Sequence, residues 1–256
     1  MARARISSAL RRLGRGPGAK PRAATEADLA GLESADRRIV ERALPYTMTG
    51  ALRLAALIDA VRYCVHRGLD GAFAECGVWR GGSVLAMILT LQELDAADRE
   101  LYLYDTFEGM TRPTDRDTSA RDGAALEVWQ RAERHGERAW GEMFADELVG
   151  ESVVSETLLA TGYDPGLLHL VAGPVERTLP ERAPTRLALL RLDTDWYEST
   201  RHELTHLYPR LVDAGVLIVD DYGHWEGCRR AVDEYFADDP VLLNRIDYSG
   251  RIAVKG

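Results

Sequence analysis

Two short, largely aliphatic runs late in the chain predict neighbouring strands of a buried sheet. They are Leu187–Leu192 and Val216–Val219, and polar or turn-forming residues bound each of them. Runs of this length without a polar face are typical of parallel strands that helices cover on both sides. The stretch from Ser199 to Leu211 has helical periodicity, so the three segments predict a strand–helix–strand unit.

The same alternation of strand and helix patterns extends over most of the chain and predicts an α/β fold with a mostly parallel sheet and a late antiparallel strand. A long polar segment, about residues 108–150, interrupts it and is predicted to be a lid insertion, because ordinary connections are much shorter. The other predicted elements are helices at 26–43, 51–67, 81–94, 152–161 and 225–236, strands at 71–75, 101–104 and 168–171, and a closing hairpin of 242–248 with 251–254 that turns at 249–250.

Aspartates stand at the carboxyl ends of the two late strands. Asp193 follows the first run, and Asp220 and Asp221 follow the second. A right-handed crossover brings both strand ends to the same edge of the sheet, where open α/β folds bind ligands. Three carboxylates at one place repel one another unless a cation neutralises them, and an all-oxygen cluster suits Mg²⁺ or Mn²⁺. A divalent metal site is therefore expected at this edge.

A glycine-rich turn follows the first predicted strand. Gly77, Gly81 and Gly82 allow a tight turn and close approach of a ligand to the backbone, although such turns also serve packing alone. Trp79 stands where the dinucleotide-binding pattern has its second glycine, and the turn resembles the acidic-x-Gly-x-x-x-Gly loop of methyltransferases that use S-adenosylmethionine. Asp105, at the tip of the second strand, is placed to accept hydrogen bonds from ribose hydroxyls. A flavin, a nicotinamide or S-adenosylmethionine suits such an acid, and the aspartate cluster favours metal-assisted O-methyl transfer among them.

Composition narrows the class of protein. Hydrophobic residues make up 46% of the 256 residues, and no apolar run approaches the ~20 residues that span a membrane. The net charge is −9, which argues against nucleic acid as a partner of the folded part. Cys64, Cys76 and Cys228 have neither metal-site nor disulfide spacing, so we expect reduced thiols in a cytoplasmic protein.

The start of the chain differs from the rest in charge. Residues 1–24 carry seven basic side chains and no acidic one, and they lack the apolar core of a secretory signal. We expect a basic arm there, with a partner-binding tail as the alternative. Residues 25–256 are expected to form a single domain.

Several motifs occur in one order along the chain, and together they resemble the macrocin O-methyltransferase (TylF-type) family over about residues 40 to 240. The resemblance implies a Rossmann-like class I methyltransferase fold, with a seven-stranded sheet, an N-terminal helical segment and a lid insertion. It also implies transfer of a methyl group from S-adenosylmethionine, with Mg²⁺, to a (deoxy)sugar hydroxyl of a glycosylated natural product such as an antibiotic. The motifs are 47–48, 75–83, 105–109, 173 with 178–180, 192–200, 207–211, 215, 220–223, and 225 with 227.

The resemblance also assigns roles to residues. Asp193, Asp220 and Asp221 would hold the metal, and Asp195 would be the general base, with a helix N-terminal acid as the other interpretation of Asp195. Among the histidines, His224 beside Asp221 is the strongest rival base, and His135 in the lid is a weaker one. The predicted cofactor-binding residues are Thr47, Met48, Glu75, Gly77, Val78, Trp79, Asp105, Thr106, Ser152 and Gly173.

Two other functions stay open at this stage. A catechol-type phenolic O-methyltransferase would also use an aspartate-rich metal site beneath the same cofactor. A binding protein that has lost turnover is less favoured, because Asp193, Asp195, Asp220 and Asp221 are all present. Trp129 and Trp140 in the lid are candidate contacts for a small-molecule glycoside. The resemblance to the family also implies that the protein forms a homo-oligomer.

Overall fold

The computed structural model describes residues 29–256, and its largest element is a seven-stranded sheet in the order β5-β2-β1-β6-β7-β9-β8. Strand β9 runs antiparallel to both of its neighbours, β7 and β8, and the other pairs of this sheet are parallel, so the predicted mostly parallel sheet with a late antiparallel strand is confirmed. The strands are β1 (Ala72–Cys76), β2 (Leu101–Asp105), β3 (Thr118–Ser119), β4 (Gly123–Ala124), β5 (Leu168–Ala172), β6 (Leu187–Leu192), β7 (Leu211–Val219), β8 (Asn244–Arg245) and β9 (Arg251–Val254), of which β3 and β4 form a separate hairpin.

Helices cover both faces of the sheet. None of the helices in residues 29–256 combines the length and the apolar character that a bilayer crossing requires. The helices are α1 (Ser34–Ala43), α2 (Ala51–His66), α3 (Gly82–Glu93), α4 (Ala125–His135), α5 (Asp146–Val149), α6 (Glu151–Leu159), α7 (Val175–Thr178), α8 (Tyr197–Leu207) and α9 (Glu226–Tyr235).

The strands divide their side chains between two apolar cores. In β1, Phe73 packs with α2 and α3, whereas Ala74 and Cys76 belong to the core beneath α8 and α9. In β7, Ile218 belongs to the core with α2 and α3, and Val219 belongs to the core beneath α8 and α9. Because successive strand residues point to opposite faces, a sheet covered on both sides needs the continuous apolar runs seen in the sequence.

Three predicted elements differ from the observed ones. The first helix does not run unbroken from residue 26, because Gly31 adopts a left-handed conformation and α1 begins only at Ser34; residues 26–28 lie outside the described part. Helix α8 ends at Leu207 rather than Leu211, since Pro209 cannot continue it and Leu211 already begins β7.

The closing hairpin is also wider than predicted. Its loop spans residues 246–250, where Asp247 Oδ1 accepts hydrogen bonds from the backbone N–H groups of Ser249 and Gly250. A carboxylate that caps two backbone donors stabilises a longer turn than the predicted two-residue one. The basic segment 1–24 lies outside the described residues, as does its predicted role.

The strand order places a ligand-binding crevice at the carboxyl ends of β1 and β6. The chain leaves β1 towards β2 and β5 on one side, and it later returns to β6 and β7 on the other. At such a switch point the flanking connections diverge and leave an open crevice. Gly77, the first residue after β1, has φ +84°, and a Cβ atom there would overlap the carbonyl oxygen of Asp193 after β6. The two strand ends are therefore packed together through a glycine.

We expect Gly77→Ala to lower the free energy of unfolding by about 2–5 kcal/mol, from the left-handed backbone and the steric overlap together. Gly68→Ala is the matched control, since Gly68 also has positive φ but has no atom within 4 Å of a built Cβ. Gly68→Ala should lower the free energy of unfolding by only about 1–2 kcal/mol. Urea denaturation of both variants measures the difference, and equal losses would show that the contact with Asp193 is unimportant.

Candidate active site

A cavity of about 440 Å³ opens at the carboxyl ends of the parallel strands. The turns after β1, β2, β6 and β7 all contribute to its wall, as does the hairpin of β3 and β4. All the predicted metal, base and cofactor residues line it except Ser152 and the weaker rival base His135. The sequence-based candidates are therefore brought together in one place.

Three aspartates converge on one side of the cavity. Each of Asp193, Asp220 and Asp221 offers a carboxylate oxygen, and these oxygens lie within 4.8 Å of one another. It is the single group of this kind found in residues 29–256. Asp220 and Asp221 are buried, whereas the Asp193 side chain is 26% exposed. A strand end fixes each position, because Asp193 continues β6 and Asp220 continues β7 with backbone N–H bonds to the neighbouring strand.

Two arginines contact this cluster, of which Arg191 is buried and Arg53 is 13% exposed. Arg191, 2% exposed, donates from Nη1 to Glu75 and to Asp193 Oδ2 (2.8 Å), and from Nη2 to Asp220 Oδ1 (2.6 Å). Arg53 on α2 donates to the other oxygen of Asp220. Arg191 therefore bridges the end of β1, where the glycine-rich turn begins, to the aspartates after β6 and β7.

The cluster remains acidic in spite of these cations. Five carboxyl groups, counting Asp247, which also pairs with Arg53, face two guanidinium groups, so full ionisation leaves three negative charges in excess. Burial raises the pKa of Asp193 and Asp221 well above the ordinary value, and the neighbouring carboxylates raise it further. Burial also opposes ionisation of Asp220, but Arg191 and Arg53 outweigh it and lower the pKa of Asp220.

Asp105 joins the two turns on the other side of the cavity. Its Oδ2 accepts hydrogen bonds from the backbone N–H groups of Val78 (2.7 Å) and Trp79 (2.9 Å), and its Oδ1 accepts one from Phe107 (2.8 Å). The carboxylate thus shapes the turns after β1 and β2 in addition to facing the cavity. Thr106, Gly173 and the Thr47–Met48 connector line the same region.

Ser152 is the one predicted cofactor residue that the structure places elsewhere. It is exposed on α6, which buries Val154 and Leu158 instead, so helical periodicity turns Ser152 towards solvent. Ser152 is outside the cavity lining.

Asp195 lies in the same turn as Asp193 and faces the cavity. It adopts a left-handed backbone (φ +69°), and its Oδ1 accepts a hydrogen bond from Trp225 Nε1 (2.7 Å). Burial and the nearby charge of Asp193 raise the pKa of Asp195 to about 8. This geometry leaves Oδ2 as an acceptor for a proton at the cavity wall.

The rival base His224 is held on both sides. Its Nε2 pairs with Asp122 Oδ2 (2.9 Å), and its Nδ1 lies 3.3 Å from the Tyr248 hydroxyl. Burial lowers the pKa of His224, with Asp122 opposing the effect. His135, by contrast, is exposed on α4 and away from the cavity.

Aromatic side chains form the wall beside Asp195. Trp196 packs against Trp225 (5.0 Å between ring centroids) and against Trp140 (5.7 Å), and all three line the cavity. Trp129 does not line it. Flat rings of this kind provide rigid apolar contact for a ligand.

Sequence reasoning missed three charged residues of the site. Arg191 and Arg53 offset part of the negative charge of the cluster, and Asp122 lies in the β3–β4 hairpin, which no periodic pattern marks. A signal existed for Arg191, since a charged residue within a strand predicted to be buried on both faces requires a charged partner.

Comparison with known proteins identifies the family. The family model described as Macrocin-O-methyltransferase (TylF) matches residues 32–252. The chain belongs to this family. The resemblance noted in the sequence motifs is confirmed, and the protein is an O-methyltransferase.

Individual relatives agree with the TylF assignment. Mycinamicin III 3''-O-methyltransferase of Micromonospora griseorubida is 32% identical, over 78% of this chain and 76% of the relative. A second relative, from Streptomyces olivaceus, is 34% identical over 86% of this chain and 80% of its own length. It is the 8-demethyl-8-(2,3-dimethoxy-alpha-L-rhamnosyl)-tetracenomycin-C 4'-O-methyltransferase. The solved structure of the O-methyltransferase NovP superposes with a TM-score of 0.68, 32% identity and 82% coverage of both chains.

In this TylF-family protein, we expect Arg191→Met to lower the free energy of unfolding by about 3–5 kcal/mol, because it leaves buried carboxylates without their cation. The control is Arg186→Met, whose ion pair with Asp70 is exposed and should contribute less than about 1 kcal/mol. Urea denaturation of both variants distinguishes them. A loss for Arg191→Met no larger than that for Arg186→Met would contradict the bridging role.

Proposed function

We propose that this protein transfers a methyl group from S-adenosylmethionine, with the help of Mg²⁺, to a (deoxy)sugar hydroxyl of a glycosylated natural product. The observation that carries the proposal is the position of the aspartate trio in the same cavity as the glycine-rich turn after β1. Cofactor and metal would then meet at one acceptor oxygen. Membership of the TylF family supports the same chemistry.

The aspartate cluster fits a divalent cation. Asp221 Oδ2 is buried and has no hydrogen-bond partner among the described residues, which is a costly arrangement unless a cation completes it. An Mg²⁺ ion would also offset two of the three excess negative charges. Asp193, Asp220 and Asp221 would hold it, and all their ligand atoms are the carboxylate oxygens that Mg²⁺ prefers.

The neighbouring region fits S-adenosylmethionine. Glu75 Oε2 is likewise buried without a partner at the cavity, and burial raises the pKa of Glu75 to about 7, against the effect of Arg191. The ammonium group of a methionine moiety would supply the missing cation. Asp105 has acceptor capacity left for ribose hydroxyls, since three of a carboxylate's about four lone-pair sites accept backbone N–H groups and the remaining contact, from the Thr106 hydroxyl, is long at 3.5 Å. The cavity-lining members of the predicted cofactor set would surround the rest of the molecule.

Asp195 is proposed as the general base. When bound, the metal would lower the pKa of the acceptor hydroxyl, and the sulfonium would provide the electrophilic methyl group. Asp195 would take the hydroxyl proton while the oxygen gains the methyl group and S-adenosylhomocysteine leaves. Trp225 holds Asp195 in place by its hydrogen bond to Oδ1. The tryptophan wall beside it would pack against the acceptor and exclude water.

Sugar acceptors are favoured over phenols by the names of the relatives. One acts on mycinamicin III at a 3'' position, and another acts on a rhamnosyl tetracenomycin at a 4' position. A catechol-type acceptor remains the second candidate, because it would use the same metal cluster. Comparing a panel of deoxysugar glycosides with a vicinal-hydroxyl phenol, by release of S-adenosylhomocysteine, separates the two.

Calorimetric titration should show that the wild-type protein binds both S-adenosylmethionine and Mg²⁺. The double variant Asp220→Asn/Asp221→Asn should bind the cofactor without any Mg²⁺ heat, because two anionic ligands are lost. Asp213→Asn is the control, since Asp213 is an exposed acid on the same strand. Failure of the wild-type protein to bind the cofactor would overturn the proposal.

Asp195→Asn should reduce turnover by about 10²–10⁴-fold through loss of the base while Mg²⁺ affinity is kept. Asp193→Asn should lose both turnover and Mg²⁺ affinity. Glu198→Gln serves as the control, because Glu198 is an exposed acid in the first turn of α8. Near-normal turnover of Asp195→Asn, with unchanged Mg²⁺ affinity, would remove Asp195 from the role and leave His224 as the candidate.

A further inference from the structure

A buried glutamate lies behind the turn that joins β6 to α8. Glu203 on α8 is 0% exposed, and its Oε1 accepts a hydrogen bond from the Thr194 hydroxyl at 2.8 Å. Thr194 stands between Asp193 and Asp195 in sequence. Glu203 therefore contacts the residue between a proposed metal ligand and the proposed base, although it does not line the cavity itself.

The surroundings of Glu203 contain no balancing cation. No ion pair to this carboxyl group occurs within residues 29–256, and Oε2 has no hydrogen-bond partner there. The thiol of Cys76 and the more distant Glu176 and Asp193 are its other polar neighbours. Burial raises the pKa of Glu203 well above the ordinary value. The Thr194 hydroxyl is a hydrogen-bond donor that the described residues supply to Glu203 Oε1.

The turn itself needs support, because Asp195 has a left-handed backbone. A residue other than glycine persists in that conformation only where its surroundings impose it. The Thr194 carbonyl accepts hydrogen bonds from Trp196 N (2.8 Å) and Ser199 Oγ (3.3 Å), which hold one side of the turn. The Thr194 hydroxyl, fixed by Glu203, holds the other side.

We propose that Glu203 is a positioning residue that, through the hydroxyl of Thr194, fixes the turn presenting Asp193 and Asp195 to the cavity. The inference rests on the metal and base roles proposed above. It assigns Glu203 an effect on metal affinity that a residue contributing only to packing would lack. The hydrogen bond, rather than a charge, is the active feature.

The test is calorimetric titration of Mg²⁺ into the full chain saturated with S-adenosylhomocysteine. Thr194→Val removes the donor at nearly constant volume, and Glu203→Leu removes the acceptor. Each should weaken Mg²⁺ binding by about tenfold, the lower end of the effect of outer partners on metal ligands. Glu203→Gln keeps a carbonyl acceptor and should stay within about twofold of wild type. The double variant Thr194→Val/Glu203→Leu should be no worse than either single variant, since both break the same bond.

The control is Thr90→Val on α3, which removes a fully buried hydroxyl that bonds only to the Ala86 carbonyl, far along the chain from the turn. It should lower thermal stability without changing Mg²⁺ affinity. Unchanged Mg²⁺ affinity in folded Thr194→Val would overturn the inference. It would also be overturned if Glu203→Gln bound Mg²⁺ as weakly as Glu203→Leu does. If Glu203→Leu does not fold, Thr194→Val decides alone. Absence of Mg²⁺ binding in the wild-type protein would instead overturn the metal assignment, and the inference with it.

Discussion

The buried guanidinium of Arg191 is the interaction on which the site depends. It reaches from Glu75 at the end of β1 to Asp193 and Asp220 beyond β6 and β7, so one cation ties three strand ends together. Without it, carboxylates of like charge would be buried side by side, which is unfavourable in a low-dielectric interior. The same contact connects the proposed cofactor region with the proposed metal site.

Close packing of backbone complements this electrostatic bridge. The glycine-rich turn lies directly against the carbonyl of Asp193, where a side chain would not fit. In the proposed reaction, a methyl donor and a metal-held oxygen would have to be a few ångströms apart, and close approach of reacting atoms is a large source of rate enhancement. Contact between the β1 turn and the β6 turn at the switch point of the sheet would provide that proximity.

The fold and the aspartate trio could be predicted because they follow from local patterns. Aliphatic runs mark parallel strands, and acids at their ends must meet at one edge. Residues whose role depends on tertiary contacts could not be found in this way. Glu203 stands between His202 and Leu204 in a helix and resembles a solvent-facing acid, yet it is fully buried. Ser152 lies outside the cavity lining, and a loose motif match carries no information about which helix face is buried.

In the proposed function, metal and cofactor share the cavity at the ends of β1, β6 and β7. Anomalous diffraction from crystals grown with Mn²⁺ and S-adenosylhomocysteine measures it directly, since Mn²⁺ accepts the same oxygen ligands as Mg²⁺. We predict one strong manganese peak bounded by Asp193, Asp220 and Asp221, with the nucleoside beside Asp105 and the glycine-rich turn. A manganese peak at other residues, or a nucleoside outside this cavity, would contradict the claim.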